Sequence, residues 1–340
     1  MADVSVTLRD IERAREAIAP RVRRTPLVPS TSLSRLTRAS VYLKLETEQD
    51  TGSFKIRGAT NRLLSLSDGD AAHGVVAVST GNHGRAVAHA AKALGIGAIV
   101  CLSNLVPGNK VQAIRDLGAE VRIVGDSQDE AEVEAGRLVA EEGMVMVSPF
   151  DDRFVIAGQG TIGLEILEGM PEVDSVLVPV SGGGLVSGIA VALKSARPGV
   201  RVVGVSMERG PAMYHSQQAG RPVQVDELPS LADSLGGGIG LDNRYTFALV
   251  RDYVDDLVLV GEGRIVAAMA HAYKEEGLVA EGGGAVGIAA LLEHRAGALG
   301  RNVVVVVSGG NVDDATFARD RRERGRLKHR GGVELRGHLT

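Results

Sequence analysis

VVAVSTGNHGRAVAHAAKALGIGAIVCL, residues 75–102, decides the fold. An apolar run at 75–78 enters a turn of small and polar residues, a helix-like pattern follows over 84–94, and a second apolar run stands at 98–101. Wholly apolar runs separated by helical patterns mark parallel strands joined by crossover helices, because strands covered on both faces need no polar alternation. The same alternation spreads outward, with apolar runs at 121–124, 175–180, 201–205 and 303–307 and helical patterns at 109–117, 128–142, 155–168, 185–196, 264–276 and 285–296. The expected fold class is α/β, with two open, twisted parallel-sheet lobes and a cleft between them. Residues 74–147 are expected to form the smaller lobe, and 1–67 with 152–320 the larger. The boundary falls at the polar SPFDDR segment, 148–153, and residues 321–340 read as a flexible basic tail.

Composition narrows the function. With 340 residues, 44% hydrophobic, 3% aromatic and no tryptophan, the core is built from Val, Leu, Ile and Ala. A formal net charge of -4 gives no general attraction for phosphate backbones or anionic lipid, so neither nucleic acid nor a membrane is an expected partner. Cys101 is the single cysteine, which rules out an intrachain disulfide and fits a reducing, cytoplasmic setting. The opening MADVSVTLRDIERAREAI carries Asp3, Asp10 and Glu12 where a secretory leader needs an apolar run; a capped helix is expected there.

Three motifs carry chemistry. SGGGL, 181–185, follows the apolar VLVPV and opens a helical pattern, so Gly182, Gly183, Gly184 and Leu185 can present backbone N–H groups to a phosphate. Taken alone, the run also fits a flexible turn or a dinucleotide nest. STGNHG, 79–84, has the same context: Ser79, Thr80, Gly81, Asn82 and His83 form a nest suited to a carboxylate, and the Asn82 amide can donate to a phenolic oxygen. A plain N-cap by Ser79 or Thr80 is the simpler reading. Lys55, in TGSFKIRGAT, sits between Phe54 and Ile56. Partial desolvation would lower its pKa, as imine formation and proton abstraction require.

Together these motifs resemble the fold-type II family of pyridoxal-phosphate enzymes, in the branch of threonine and serine dehydratases and serine racemase. The resemblance runs over residues 5–315, through LKLETEQDTGSFKIRGA, STGNHGRA, SGGGL, DSLGGGIG and VVVSGGNVD. It implies pyridoxal 5'-phosphate as cofactor, carried on Lys55 with Phe54 beside the ring. Asn82 would hold the phenolic oxygen, Gly182 to Gly184 the phosphate, and Ser308 would face the pyridine nitrogen. Gly236 of DSLGGGIG would contribute a backbone contact, and Glu281 would lie near the pyridine edge. The larger lobe would then bind the cofactor and the smaller would close over the substrate. In local detail the chain is most similar to dehydratase-like proteins of hydroxyectoine utilisation.

The expected activity is β-elimination from a β-hydroxy amino acid such as threonine, serine or a hydroxyectoine-derived amino acid, with Lys55 as base, giving a 2-oxo acid and ammonia. Ser308 supports this direction, since a hydroxyl does not protonate pyridine as an aspartate would and leaves a weaker electron sink. The resemblance to serine racemase places Thr80 where a serine serves as acid and base on the second face. Threonine keeps that hydroxyl but restricts it, so racemisation is the secondary expectation; β-replacement and a non-enzymatic cofactor-binding role stand behind it. That relative's cation site uses carboxylates where Ser206 and Ala212 stand, and no metal is expected. A small amino-acid substrate and a homodimer complete the expectation.

Overall fold

The structure is a computed structural model that describes residues 6–312 apart from Thr80 and Pro107. The chain opens with α1 (Leu8–Ile18), β1 (Leu27–Pro29), α2 (Thr31–Thr37), β2 (Ser40–Leu45), a 3-10 turn (Glu46–Glu48), α3 (Lys55–Leu64) and α4 (Asp68–His73). It continues through β3 (Val75–Val78), α5 (Asn82–Leu94), β4 (Ala98–Leu102), α6 (Gly108–Asp116), β5 (Glu120–Ile123), α7 (Gln128–Glu142) and β6 (Val145–Met146). The rest comprises α8 (Arg153–Gly169), β7 (Ser175–Pro179), α9 (Gly184–Ala196), β8 (Arg201–Met207), α10 (Ala212–Ala219), a second 3-10 turn (Asp233–Leu235), α11 (Thr246–Tyr253), β9 (Asp256–Val260), α12 (Glu262–Glu275), α13 (Gly282–Leu292) and β10 (Asn302–Val307).

Two sheets form: six strands in the order β1-β2-β10-β7-β8-β9 and four in the order β5-β4-β3-β6. All pairs are parallel except β1 with β2, which is antiparallel. That exception departs from the all-parallel expectation, and it sits where it can be tolerated, because Pro29 lacks a donor and β1 is an edge strand. The apolar runs are apolar because both faces are covered. Along β10, Val303, Val305 and Val307 pack on one side with α12 and α13, while Val304 and Val306 pack on the other with α8 and α9. In the smaller sheet Val75 and Ala77 meet α3 and α5, and Val76 meets α7. At the amino end, Thr7 and Asp10 form the capping box of α1. No helix among the described residues is long and apolar enough to cross a membrane.

α3 joins the two lobes, and its placement is determined by charge. Arg57 is 1% exposed; its guanidinium donates to Glu46 at 2.8 Å from both Nε and Nη2, and to Glu165 of α8 at 2.6 and 3.0 Å. Lys44 of β2, equally buried, pairs with Glu165 and donates to the Thr25 carbonyl at 2.7 Å. Two cations and two carboxylates thus share one dry cluster. Burial opposes ionisation of Glu46, but the charge and hydrogen bonds of Arg57, the Lys44 charge and the Thr25 hydroxyl together outweigh it and hold the carboxyl below its usual range. Beside the cluster α3 and α8 touch backbone to backbone: a Cβ on Gly158 would lie 2.6 Å from the Arg57 carbonyl oxygen and 2.7 Å from the Gly58 Cα.

Removing one partner of such a cluster leaves buried charge uncompensated, so Arg57→Met is expected to destabilise the protein by about 3–5 kcal/mol in urea unfolding. A change below about 1 kcal/mol would show that the cluster does not anchor α3.

Candidate active site

The carboxyl ends of β3, β7 and β10 open on a cleft of about 1080 Å³ between the lobes, lined by Lys55, Asn82, Gly182 to Gly184, Glu281 and Ser308 among others. Lys55 is the first residue of α3. The segment before it is zipped to the end of β10: Ser53 bridges to Gly309, and the Phe54 N–H donates to the Ser308 carbonyl at 3.0 Å. This brings Lys55, Phe54 and Ser308 together, as expected. The Lys55 ammonium donates to the Pro149 carbonyl at 2.6 Å and stands 5.2 Å from the centre of the Phe54 ring. Burial lowers its pKa to about 8, and the nearby Glu281 carboxylate opposes that shift.

The turn after β3 leads into α5, which begins at Asn82 rather than near Arg85. Gly81 occupies the N-cap and offers no side-chain cap. The Ser79 hydroxyl accepts instead from the Gly81 N–H at 3.3 Å, so the first amides of α5 are left for a ligand. Thr80 lies outside the described residues. Asn82 is held from both ends, its amide donating to Glu281 Oε1 at 2.7 Å and its Oδ1 accepting from Asn311 at 2.6 Å. His83 is buried, and desolvation with the neighbouring Lys55 charge lowers its pKa to about 3. It is therefore neutral, and since Val147 O at 2.8 Å can only accept, Nε2 carries the proton.

After β7, Gly183 adopts φ +92 and caps α9. This cradle has no room for side chains: a Cβ on Gly182 would stand 2.2 Å from the Phe150 ring, one on Gly184 2.8 Å from the Phe150 carbonyl, and one on Gly183 2.8 Å from Met213. What remains is backbone at the positive end of a 13-residue helix. Leu185 lines the cleft beside it. Gly236 accepts a hydrogen bond at its carbonyl from Ser181, at 3.4 Å. Glu281 caps α13 without a side-chain bond of its own to that helix. Burial and the charge of Asp233 push its carboxyl up to about 7, against hydrogen bonds from Ser234, Asn82 and the Asn311 backbone.

A side-chain-free anion cradle, a desolvated lysine amine and a strand-end serine in one cleft fit pyridoxal phosphate. Sequence reasoning overlooked Pro149, Phe150 and Asn311, which hold Lys55, shape the glycine cradle and tether Asn82. The SPFDDR segment offered a signal only as a boundary. Among the described residues no cluster of three or more His, Cys, Asp or Glu side chains is disposed to hold a metal ion.

Comparisons with known proteins identify the family. The chain is 59% identical over 309 residues to a protein named as a threonine dehydratase from Sinorhizobium fredii, covering 91% of this chain and 93% of that one. It is 46% identical to an L-threonine ammonia-lyase from Thermotoga maritima, covering 91% and 76% of the two chains. Among solved structures, maize serine racemase superposes with a TM-score of 0.88 at 35% identity, covering 96% of this chain and 99% of that one. Residues 18–309 match the family described as pyridoxal-phosphate dependent enzymes, and the chain belongs to that family.

Proposed function

We propose that the elimination is carried by Lys55 as base, with substrate and cofactor held by the two open helix ends. The chain is a pyridoxal-phosphate-dependent dehydratase, an ammonia-lyase of the threonine and serine type, in keeping with its relatives. The observation that supports the site assignment is the position of one desolvated amine between the amino ends of α5 and α9 in a single cleft. When bound, the cofactor holds the substrate nitrogen through its aldehyde carbon and accepts the electrons left by the α-proton.

The residues of the chain divide the remaining work. The α9 amides and Gly182 to Gly184 hold the phosphate, and the α5 amides with Ser79 and Gly81 hold the substrate carboxylate. Asn82 is positioned to donate to the phenolic oxygen, and Ser308 places an uncharged hydroxyl at the ring nitrogen. Lys55 would hold the cofactor aldehyde until substrate takes its place, and its free amine would then be positioned to take the proton from Cα. That proton and the β-hydroxyl leave as water. The resulting enamine, once released, becomes an imine and takes back one water to give a 2-oxo acid and ammonia. The expectations of a homodimer and of cytoplasmic residence belong to the same proposal and rest on the family resemblance and the single cysteine.

Lys55→Ala is expected to lower 2-oxo acid formation from threonine or serine by at least ~100-fold, the scale of a lost general base, and to remove the lysine-bound cofactor band in the absorbance spectrum. Borohydride reduction and peptide mapping that place the cofactor on another lysine would overturn the site. A racemase would instead return substrate with inverted configuration and solvent deuterium at Cα.

The cofactor-free protein should capture pyridoxal phosphate faster as pH rises through about 8, where Lys55 loses its proton. An anion raises the pKa of a neighbouring ammonium, so Glu281→Gln should move that midpoint to lower pH. An unmoved midpoint in stopped-flow absorbance would disconnect Glu281 from Lys55.

A further inference from the structure

Arg85 lies on α5 three residues beyond Asn82, or roughly 4.5 Å along the helix axis at 1.5 Å per residue, and it lines the same cleft. Its Nε is buried and makes no hydrogen bond. Among the described residues no carboxylate pairs with its guanidinium, although the structure is otherwise rich in such pairs. The neighbouring cation on this wall, Lys110, is engaged with Asp233 across the cleft at 3.5 Å. Asp129, Glu132, Glu227 and Asp242 are exposed around the cleft, and none of them forms an ion pair with Arg85. One half-buried guanidinium is thus left without a counter-ion beside the α5 amides expected to hold the substrate carboxylate.

Arginine presents a rigid fork of donors that matches a carboxylate and stays charged at any working pH. A hydroxyl or a methyl group on the substrate would leave that fork unanswered, whereas a second carboxylate would satisfy it. We propose that Arg85 is a specificity-determining residue that binds a side-chain carboxylate, so that the preferred substrate is a β-hydroxy dicarboxylic amino acid, with 3-hydroxyaspartate the smallest. This rests on the elimination reading above and specifies its substrate class. The reaction balances in the same way: the α-hydrogen and the β-hydroxyl leave as water, one water is taken back in hydrolysis, and 3-hydroxyaspartate becomes oxaloacetate and ammonia.

The test compares kcat/KM for 3-hydroxyaspartate and threonine in the holoenzyme and in Arg85→Gln and Arg85→Lys. A site built to bind a polar substrate group rejects the analogue that lacks it, so the native enzyme should favour 3-hydroxyaspartate by at least about tenfold. Arg85→Gln should reduce that ratio by at least about 100-fold, and Arg85→Lys, which keeps the charge but loses the fork, should fall between the two. Succinate, a dicarboxylate without the reacting amine, should inhibit the native enzyme more strongly than Arg85→Gln. Turnover of threonine with none of 3-hydroxyaspartate, or a ratio unchanged in Arg85→Gln, overturns the assignment while leaving the elimination reading intact. No ammonia from either substrate overturns both.

Discussion

The reactive end of α3 depends on the charge cluster buried behind it. Lys55 and Arg57 are two residues apart, and at about 100° per residue they leave the helix on opposite sides, one into the cleft and one into the interior. Arg57 grips Glu46 just after β2 and Glu165 on α8 through a forked set of bonds, so both the rotation and the depth of α3 are determined. Lys44 supplies the second positive charge that balances the two carboxylates. An apolar cluster of equal volume could match the stability, since desolvation consumes much of what ion pairs return, but it would not impose the direction of a bidentate pair. The amine is aimed by residues that do not line the cleft.

The same helix explains how the lobes meet at the chemistry. Ile56, Ala59 and Leu63 of α3 pack into the core of the four-stranded sheet, while Gly58 lies against α8 of the six-stranded lobe. Asn82, at the start of α5, reaches across to Glu281 and Asn311, which belong to the far side of the cleft. Glu281 is therefore more than a neighbour of Lys55. Its carboxyl is pushed up to about 7 by burial and Asp233, the Lys55 amine is brought down to about 8 by burial, and the Glu281 carboxylate opposes that second shift.

Much of this was legible in the sequence where burial on both faces made strands continuous and apolar. β3, β4, β5, β7, β8 and β10 fall on the expected runs, with ends shifted by a residue or two. β2 is not legible because its YLKL stretch carries Lys44, whose charge is balanced by Glu165, far away in the chain. β9 is an edge strand, half-exposed and flanked by acidic residues, and β6 is two residues long. α3 is legible as a motif and not as a helix, since Phe54 at its N-cap gives no capping signal. Gly81 hid the start of α5 in the same way. The glycine cradle, Asn82, Lys55 and Ser308 were legible because residue type alone states what each can do. Pro149 contributes only a carbonyl, which every residue possesses, and Arg85 is distinguished only by the partner it lacks.

Charge placement then argues for the kind of reaction. In the proposed site the cofactor anion would rest on uncharged backbone at the amino end of α9, where no side chain fits. Ser308, which follows β10 and lines the cleft, would face the other end of the ring with a hydroxyl and no anion to stabilise a protonated nitrogen. An electron sink left weak in this way gives a carbanion little time, and a β-hydroxyl that can depart relieves it directly. In the same proposal full charges serve the places where substrate differs from cofactor: Lys55 would meet the proton that moves, and Arg85 would stand on the wall beyond the shared carboxylate. On this reading the backbone would bind what every substrate of this family has in common, and the side-chain cations would decide what reacts and which amino acid is chosen.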